Sequence, residues 1–492
     1  MSDILAIDQS TSATKAVLFD AAGQVVDRAS RDHRQIYPRP GWVEHDAEEI
    51  WQNTLTAIGE LAERQRERLA AASGLAITNQ RETFVVFDRT TGQPLDNAVV
   101  WQCRRGDPIC RELAESGRDA LVRQRTGLKL DTYFSGSKLK RLIAENAAVR
   151  SGLANGDALV GTIDTYLIYR LSGGQVFATD PTNASRTLLY DVGRLAWDAE
   201  LCELFAVPMP ALAEVRESFS RFGETDAAGR LPRRLPICGV MGDSQASLFA
   251  QRCYEPGDAK ATFGSGTSVL LNVGREFNPS ARGAVSALAW VHQGRPTYAL
   301  EGLINYSSAT VAWLKDQLGL IESAAETDAM ARSVDDNGGV YLVPAFAGLS
   351  APYWNPDARA AIVGMTAHAR REHVVRAALE AIAYQIRDVL EMMRADGGIA
   401  PRTLHADGGP TRNEFLMQFT ADVIGVELQV ADVPESSALG AAVAGRLGLG
   451  QVGSLAELAA MARTTRTYRP QMNPGQVERL YAGWKDAVKR VL

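Results

Sequence analysis

Two stretches of the chain, ILAIDQSTSATKAVLFD from Ile4 to Asp20 and DAKATFGSGTSVLLNVG from Asp258 to Gly274, follow one plan. In each, an apolar run ends in polar residues, a turn of small hydroxylated residues or glycines follows, and a second apolar run resumes. Each reads as a β-hairpin that opens a folding unit. At 492 residues the chain is too long for one core. The expected architecture is therefore two large lobes, residues 1–250 and 251–492. The boundary falls where PICGVMGD closes one strand pattern and a helix over Ser244–Gln251 leads to the second hairpin. Neither a strong sequence repeat nor a low-complexity linker marks it.

In the first lobe the pattern predicts strands over Ile4–Asp8, Ala16–Asp20 and Val25–Ser30, with Ala22-Gly23 as a tight turn. Asp46 has the spacing of a helix N-cap with Glu49 reaching back as its capping-box partner. Trp51, Leu55, Ile58 and Ala62 then recur at helical spacing. Strands over Leu75–Thr78 and Phe84–Asp88 flank the polar loop Asn79-Gln80-Arg81-Glu82. In the second lobe a helix is expected around Thr310–Leu318. A long one over Glu372–Met393 carries Val375, Leu379, Ile382, Ile386 and Leu390 on one face. A strand over Thr403–Ala406 then runs into Asp407-Gly408-Gly409.

Composition narrows the partner. Acidic and basic residues are interspersed at a net charge of -6, with no basic tract of the kind that attracts nucleic acid or an anionic membrane, so a small-molecule partner is expected. No apolar run approaches the roughly 18 residues of a membrane span. The start, MSDILAID, reads directly into a strand, and a cytoplasmic location is expected. Five scattered cysteines without Cys-x-x-Cys spacing and six dispersed histidines suggest neither a disulfide framework nor a zinc site.

The polar turns carry the chemistry. A nucleoside triphosphate needs donors for its phosphate oxygens and a carboxylate for magnesium. The first hairpin supplies Asp8 together with the backbone amides and hydroxyls of Ser10, Thr11, Ser12 and Thr14, and Lys15 adds charge. An ordinary turn tied by an Asx hydrogen bond fits the same residues. In the second turn Gly264 and Gly266 allow close backbone approach, and Ser265, Thr267 and Ser268 offer hydroxyls, although a plain hairpin would read alike. Gly408 and Gly409 join a strand to a helix, a geometry that seats a nucleotide beside a helix N-terminus. Asp243, after a buried strand and Gly242, is a candidate general base or a simple helix cap. Arg81 and Glu82 with Trp101 and Tyr133 form either a polyol cradle or a structural ion pair among aromatics.

Taken in order, DQSTSATKAV, YPRPGWVEHD, ITNQRET, VVWQCRR, YFSGSK, GTIDTYLIYRL, TNASRT, GDSQASLF, FGSGTS, YALEG, VPAFAGLSAPYW and DGGPTRNEFLMQF resemble the FGGY family of carbohydrate kinases, and within it the glycerol kinases. The resemblance runs through nearly the whole chain. It implies an α/β fold of two ribonuclease-H-like lobes, as in actin, hexokinase and the heat-shock chaperones, with ATP in the interlobe cleft and assembly as a dimer or tetramer. By motif, Asp8 and Asp243 resemble the metal-associated carboxylates, and Asp243 also the base. Thr11, Ser12 and Lys15 resemble the first phosphate loop and Gly264 and Ser265 the second. Ser308, Gly408, Gly409 and Asn413 match the adenosine side, while Arg81, Glu82, Trp101, Tyr133, Ser244 and Ser268 match the polyol side. ATP and Mg2+ are the implied cofactors, and phosphorylation of glycerol to glycerol 3-phosphate is the implied reaction.

The departures concern substrate and regulation. Ser244 stands at a usual glutamine and Ser268 at a usual aromatic residue. Both changes enlarge the pocket and add hydroxyls, so erythritol, a pentitol or a ketopentose is the alternative substrate. Lys15 replaces a usual arginine, keeping charge and losing the bidentate fork. Ser308 replaces a usual glycine and Ala312 a usual glutamine near adenine. Leu231-Pro232-Arg233-Arg234 keeps the arginine and lacks the glycines of the turn that binds fructose 1,6-bisphosphate in bacterial glycerol kinases, so no such inhibition is expected. From another class, the fold also serves noncatalytic sugar sensors and chaperone-type ATPases. The retained Asp243 and cradle argue against the first, and the lack of a peptide-binding domain against the second.

Overall fold

The computed structural model describes residues 2–431, 435–461 and 463–492. The first hairpin forms as its alternation requires, with strands β1 (Ile4–Gln9) and β2 (Ala13–Phe19) followed by β3 (Val25–Asp32). β4 (Gly74–Asn79) pairs parallel with β1, β6 (Leu235–Gly242) pairs parallel with β4, and β5 (Arg221–Thr225) closes the edge antiparallel to β6. The sheet order is β3-β2-β1-β4-β6-β5.

The second lobe repeats this order. β7 (Asp258–Phe263) and β8 (Thr267–Gly274) form the hairpin, and β9 (Val285–His292) and β10 (Arg295–Ile304) follow it. β11 (Thr403–Asp407) pairs parallel with β7, β12 (Glu427–Ala431) parallel with β11, and β13 (Thr465–Tyr468) antiparallel with β12. The run β10-β8-β7-β11-β12-β13 therefore has the strand order and polarity of the first sheet, with β9 added outside β10. Two copies of one α/β plan face each other.

Helix formation follows the apolar spacing. Asp46 caps α1 (Ala47–Arg64) by accepting from the amides of Glu48 and Glu49, at 2.9 and 3.2 Å. The reciprocal arm of the expected capping box is not made, because Glu49 accepts instead from Arg34 Nε at 2.9 Å. The long helix spans Arg371–Gly397 and buries Val375, Leu379, Ile382, Ile386 and Leu390 against the second sheet. A helix over Ser436–Gly448 packs its Ala438, Ala441 and Ala442 on Ile4, Ala6, Val17, Phe19 and Ala76, so a late segment of the chain covers one face of the first sheet. A four-stranded sheet over Glu44–His45, Ala98–Val99, Phe84–Asp88 and Ala158–Thr162 projects from the first lobe and brings in Trp101 and Tyr133. Among the described residues no helix is long and apolar enough to cross a membrane.

Candidate active site

The C-terminal ends of β1, β4 and β6 lie side by side. Asp8 pairs with Thr78, which in turn pairs with Met241, and one step on Gln9, Asn79 and Gly242 are level. Three consecutive strand ends thus deliver Asp8, the Arg81-Glu82 loop and Asp243 to one edge, where ligands of open α/β sheets bind. Gly242 is required there by Arg81, whose Cγ lies 2.7 Å from where a Cβ would stand.

Asp243 is the first residue of the helix Asp243–Ala250 and makes no N-cap hydrogen bond; Gly242 holds that position. Its Oδ1 accepts from the adjacent Ser244 amide at 2.6 Å and lies 3.2 Å from Arg81 Nε. The carboxylate is 38% exposed, so it is oriented by a guanidinium while open to the cleft.

Beneath it lies a buried four-charge network. Arg81 Nη2 reaches Glu301 Oε1 at 2.8 Å, Arg186 Nη2 reaches Glu301 Oε2 at 2.8 Å, and Arg186 Nε reaches Glu82 Oε1 at 2.5 Å. Burial acts to raise the Glu301 pKa, but Arg186 and Arg81 outweigh it and hold it at about 2. For Glu82 burial prevails over the same arginines and the pKa is raised. Glu82 has φ of +62°, a strained value for a residue with a side chain, at the point where the loop turns into the network. Arg81 and Glu82 are separated by 3.9 Å at their closest and find their nearer partners in Glu301 and Arg186. Glu301 comes from β10, so the network ties the lobes together. Glu301 had a local signal, a single carboxylate inside the apolar strand TYALEG, while Arg186 had none outside the family motif.

Trp101 and Tyr133 pack with their rings tilted by 57° and centroids 5.2 Å apart, and Arg186 lies over Tyr133 at 5.8 Å. With Gly264, Gly266, Thr267, Ser268 and Trp354 they line a cavity of about 760 Å3. Among the described residues the buried Ser268 and Thr267 hydroxyls find no hydrogen-bond partner. Ser244 lies half-buried in the first turn of the helix that Asp243 begins.

A second cavity, of about 730 Å3, is walled by Asp8 and Lys15 from the first lobe and by Thr262, Asp407, Gly408 and Gly409 from the second. Burial raises the Asp8 pKa to about 7 although Lys15 lowers it, and the charges of Asp243 and Glu435 raise it further. Lys15 Nζ lies 3.9 Å from Asp8 Oδ2 and 2.6 Å from Glu435 Oε2, so its charge is already shared with a carboxylate from the far end of the chain. Thr11 accepts a hydrogen bond from Trp101 Nε1 at 3.0 Å, which links the first hairpin turn to the aromatic cavity; Ser12 and Ser265 are exposed in their turns. Gly408, at φ of +99°, passes so near β7 that a Cβ would lie 1.9 Å from the Phe263 carbonyl oxygen.

A third cavity, of about 670 Å3, is lined by Ser308, Val311, Ala312, Gly409, Asn413 and Leu416. The Ser308 hydroxyl donates to the Gly264 carbonyl at 2.7 Å, and Asn413 caps the helix Glu414–Ile424 while donating to Thr327 at 3.0 Å. Both side chains hold the wall of this cavity in place through bonds to the protein.

Residues 3–250 match the N-terminal domain, and residues 259–448 the C-terminal domain, of the FGGY family of carbohydrate kinases. The chain belongs to this family. As an FGGY kinase it is a phosphotransferase, and its two-lobed α/β fold is the family's. It is 45% identical over 489 residues to a glycerol kinase of Desulfitobacterium hafniense, covering 99% of each chain. It is 47% identical over 487 residues to one of Symbiobacterium thermophilum, covering 99% of this chain and 98% of that one. The solved Plasmodium falciparum glycerol kinase with ADP superposes at a TM-score of 0.95, with 35% identity, over 100% of this chain and 98% of that one.

Proposed function

We propose that this FGGY kinase transfers the γ-phosphoryl group of ATP to a primary hydroxyl of glycerol, giving glycerol 3-phosphate and ADP. The observation that carries the reading is the meeting of two cavities at Thr262, one walled by Asp8, Lys15 and the glycine turn, the other by Trp101, Tyr133 and Arg186. The glycerol kinase relatives, similar over nearly their whole length, support it.

ATP would lie with its base in the cavity of Ser308, Ala312 and Asn413 and its phosphates running past Gly409 toward Asp8. Gly409 lines both cavities, and a Cβ there would meet nothing within 4 Å. The polyol would lie against Trp101 and Tyr133, with Arg81, Arg186 and Glu82 as donors and acceptors. Asp243 would take the proton of the attacking hydroxyl as its oxygen bonds to the γ-phosphorus and the bond to the β-phosphate oxygen breaks. Arg81 keeps that carboxylate aimed, and lobe closure would exclude water. Magnesium suits the residues present: a phosphate-bound magnesium needs only one or two carboxylates, and Asp8 walls the cavity with Gly408 and Gly409 while feeling the charge of Asp243, so these two would hold it. It would supply neutralisation of phosphate charge. We place the enzyme in the cytoplasm as a homo-oligomer.

A larger polyol or ketose is the second reading, favoured by the unpartnered Ser268 and Thr267 hydroxyls in a cavity roomier than a three-carbon triol fills. Comparing kcat/KM for glycerol, erythritol, a pentitol and a ketopentose separates the two. Glycerol is expected to lead, and a four- or five-carbon substrate preferred about tenfold or more would transfer the assignment to it. Fructose 1,6-bisphosphate is expected to leave activity unchanged. Arg234 stands exposed beside Arg233, whose guanidinium is taken up by the Ala70 carbonyl at 2.7 Å, and Leu231 and Pro232 precede the pair where glycines would be needed to receive a phosphate. A clear inhibition in a titration would reject that expectation.

A further inference from the structure

Lys260 lies on β7 in the second hairpin, only 1% exposed, and belongs to none of the family segments or ion pairs described above. Its ammonium donates to Thr262 Oγ1 at 2.8 Å, and among the described residues that is its one hydrogen bond. Burial pushes the Lys260 pKa down from the usual lysine value, the charges of Asp407, Glu301 and Asp243 act against that, and Arg81 adds to it. A buried cation with a single neutral partner is costly unless it serves something beyond that bond.

Thr262 faces both cavities, whereas its chain neighbours Ala261 and Phe263 line neither. It lines the cavity of Asp8 and Lys15 and also the cavity of Trp101 and Tyr133. The repeated sheet plan makes it the counterpart of Asp8. Asp8 is the penultimate residue of β1, paired with Lys15 across the hairpin and with Thr78 on the parallel strand. Thr262 is the penultimate residue of β7, paired with Ser268 and with Asp407. The two lobes therefore present a carboxylate and a hydroxyl from equivalent positions on opposite sides of one space.

In its charged form Lys260 can only donate, so Thr262 Oγ1 accepts from it at 2.8 Å and the proton of the hydroxyl is left to point away from it. We propose that Lys260 and Thr262 act as a unit in which the buried ammonium fixes the Thr262 hydroxyl as a donor to an oxygen of the phosphoryl group passing between nucleotide and polyol. Thr262 would touch the transferring group; Lys260 is a positioning residue that acts through it. A donor fixed in advance, in a site closed to water, favours the charge distribution of the transition state over that of the bound substrates. The effect therefore belongs to kcat more than to KM. The inference rests on the kinase reading above.

The test is steady-state ADP release with glycerol by the full chain and its Thr262→Val, Thr262→Ser, Lys260→Met and double Val/Met variants, alongside their thermal unfolding. Thr262→Val is expected to lower kcat by about 10- to 100-fold with each KM changed less than about threefold, and Thr262→Ser to restore most of the loss. Lys260→Met is expected to lower kcat in the same sense. The double variant should fall no further than the worse single one, because the two residues form one device. Full kcat in folded Thr262→Val, or kcat losses that multiply in the double variant, would overturn the inference while leaving the kinase reading standing. Absence of polyol-dependent ADP release from the unaltered chain would overturn both.

Discussion

Replacing Asp243 by asparagine will lower kcat by about 100- to 10,000-fold, the range that removal of a general base commands. The substitution keeps the shape of the side chain and its acceptor oxygen for the Ser244 amide, so the helix Asp243–Ala250 has no reason to shift. What is lost is the ability to take a proton, together with the charge that faces Arg81 across 3.2 Å. That guanidinium keeps Glu301 as a partner at 2.8 Å and is not left unpaired. Near-wild-type thermal stability with a collapsed kcat is therefore the expected pattern in coupled ADP-release kinetics. A folded variant that retains near-full turnover would remove Asp243 from the role of base.

The second large effect is on stability. Glu301→Gln will destabilise the protein by about 3–5 kcal/mol, the cost of removing one carboxylate from a buried ion network: Arg186 keeps Glu82 and Arg81 keeps the partly exposed Asp243, but both lose their shared buried counter-charge. Here two guanidinium groups, Arg81 and Arg186, both lean on the one carboxylate, and all three side chains are nearly or wholly buried. Urea unfolding of both forms at neutral pH measures the difference. A pH series gives an independent readout. The Glu301 carboxyl titrates near 4.5 when unfolded and about 2 when folded, so its contribution is present above about pH 4.5 and is lost as pH falls toward 2. The Gln variant should lack that acid-sensitive component. Equal stability of the two forms at neutral pH would mean that the arginines find other partners.

Much of this site was legible because its signals are local. The hairpins at Asp8 and Gly264 are written in period-2 alternation interrupted by turn residues, and the strand-Gly-Asp-helix sequence at Ile237 to Ala250 marks its own corner. The repeat of one sheet plan was legible only as two similar hairpins, because the later strands β4, β6, β11 and β12 share a topology without sharing residues. Long-range partners were hidden. Glu49 had the spacing of a capping-box arm and went to Arg34, while Lys15 had the look of a free phosphate ligand and is paired with Glu435. The helix Ser436–Gly448 offers small residues that fit any close interface, and nothing in its pattern says that it covers the first sheet. Arg186 and Glu301 meet Arg81 and Glu82 from distant parts of the chain, and spacing along a sequence cannot report such a meeting.

The most direct test of the central claim is product analysis. Purified enzyme with ATP, magnesium and glycerol should form glycerol 3-phosphate and ADP in equal amounts, followed by phosphorus NMR beside a coupled ADP assay. ADP formed without a phosphorylated polyol, or no ADP beyond that released in the absence of polyol, would contradict the account.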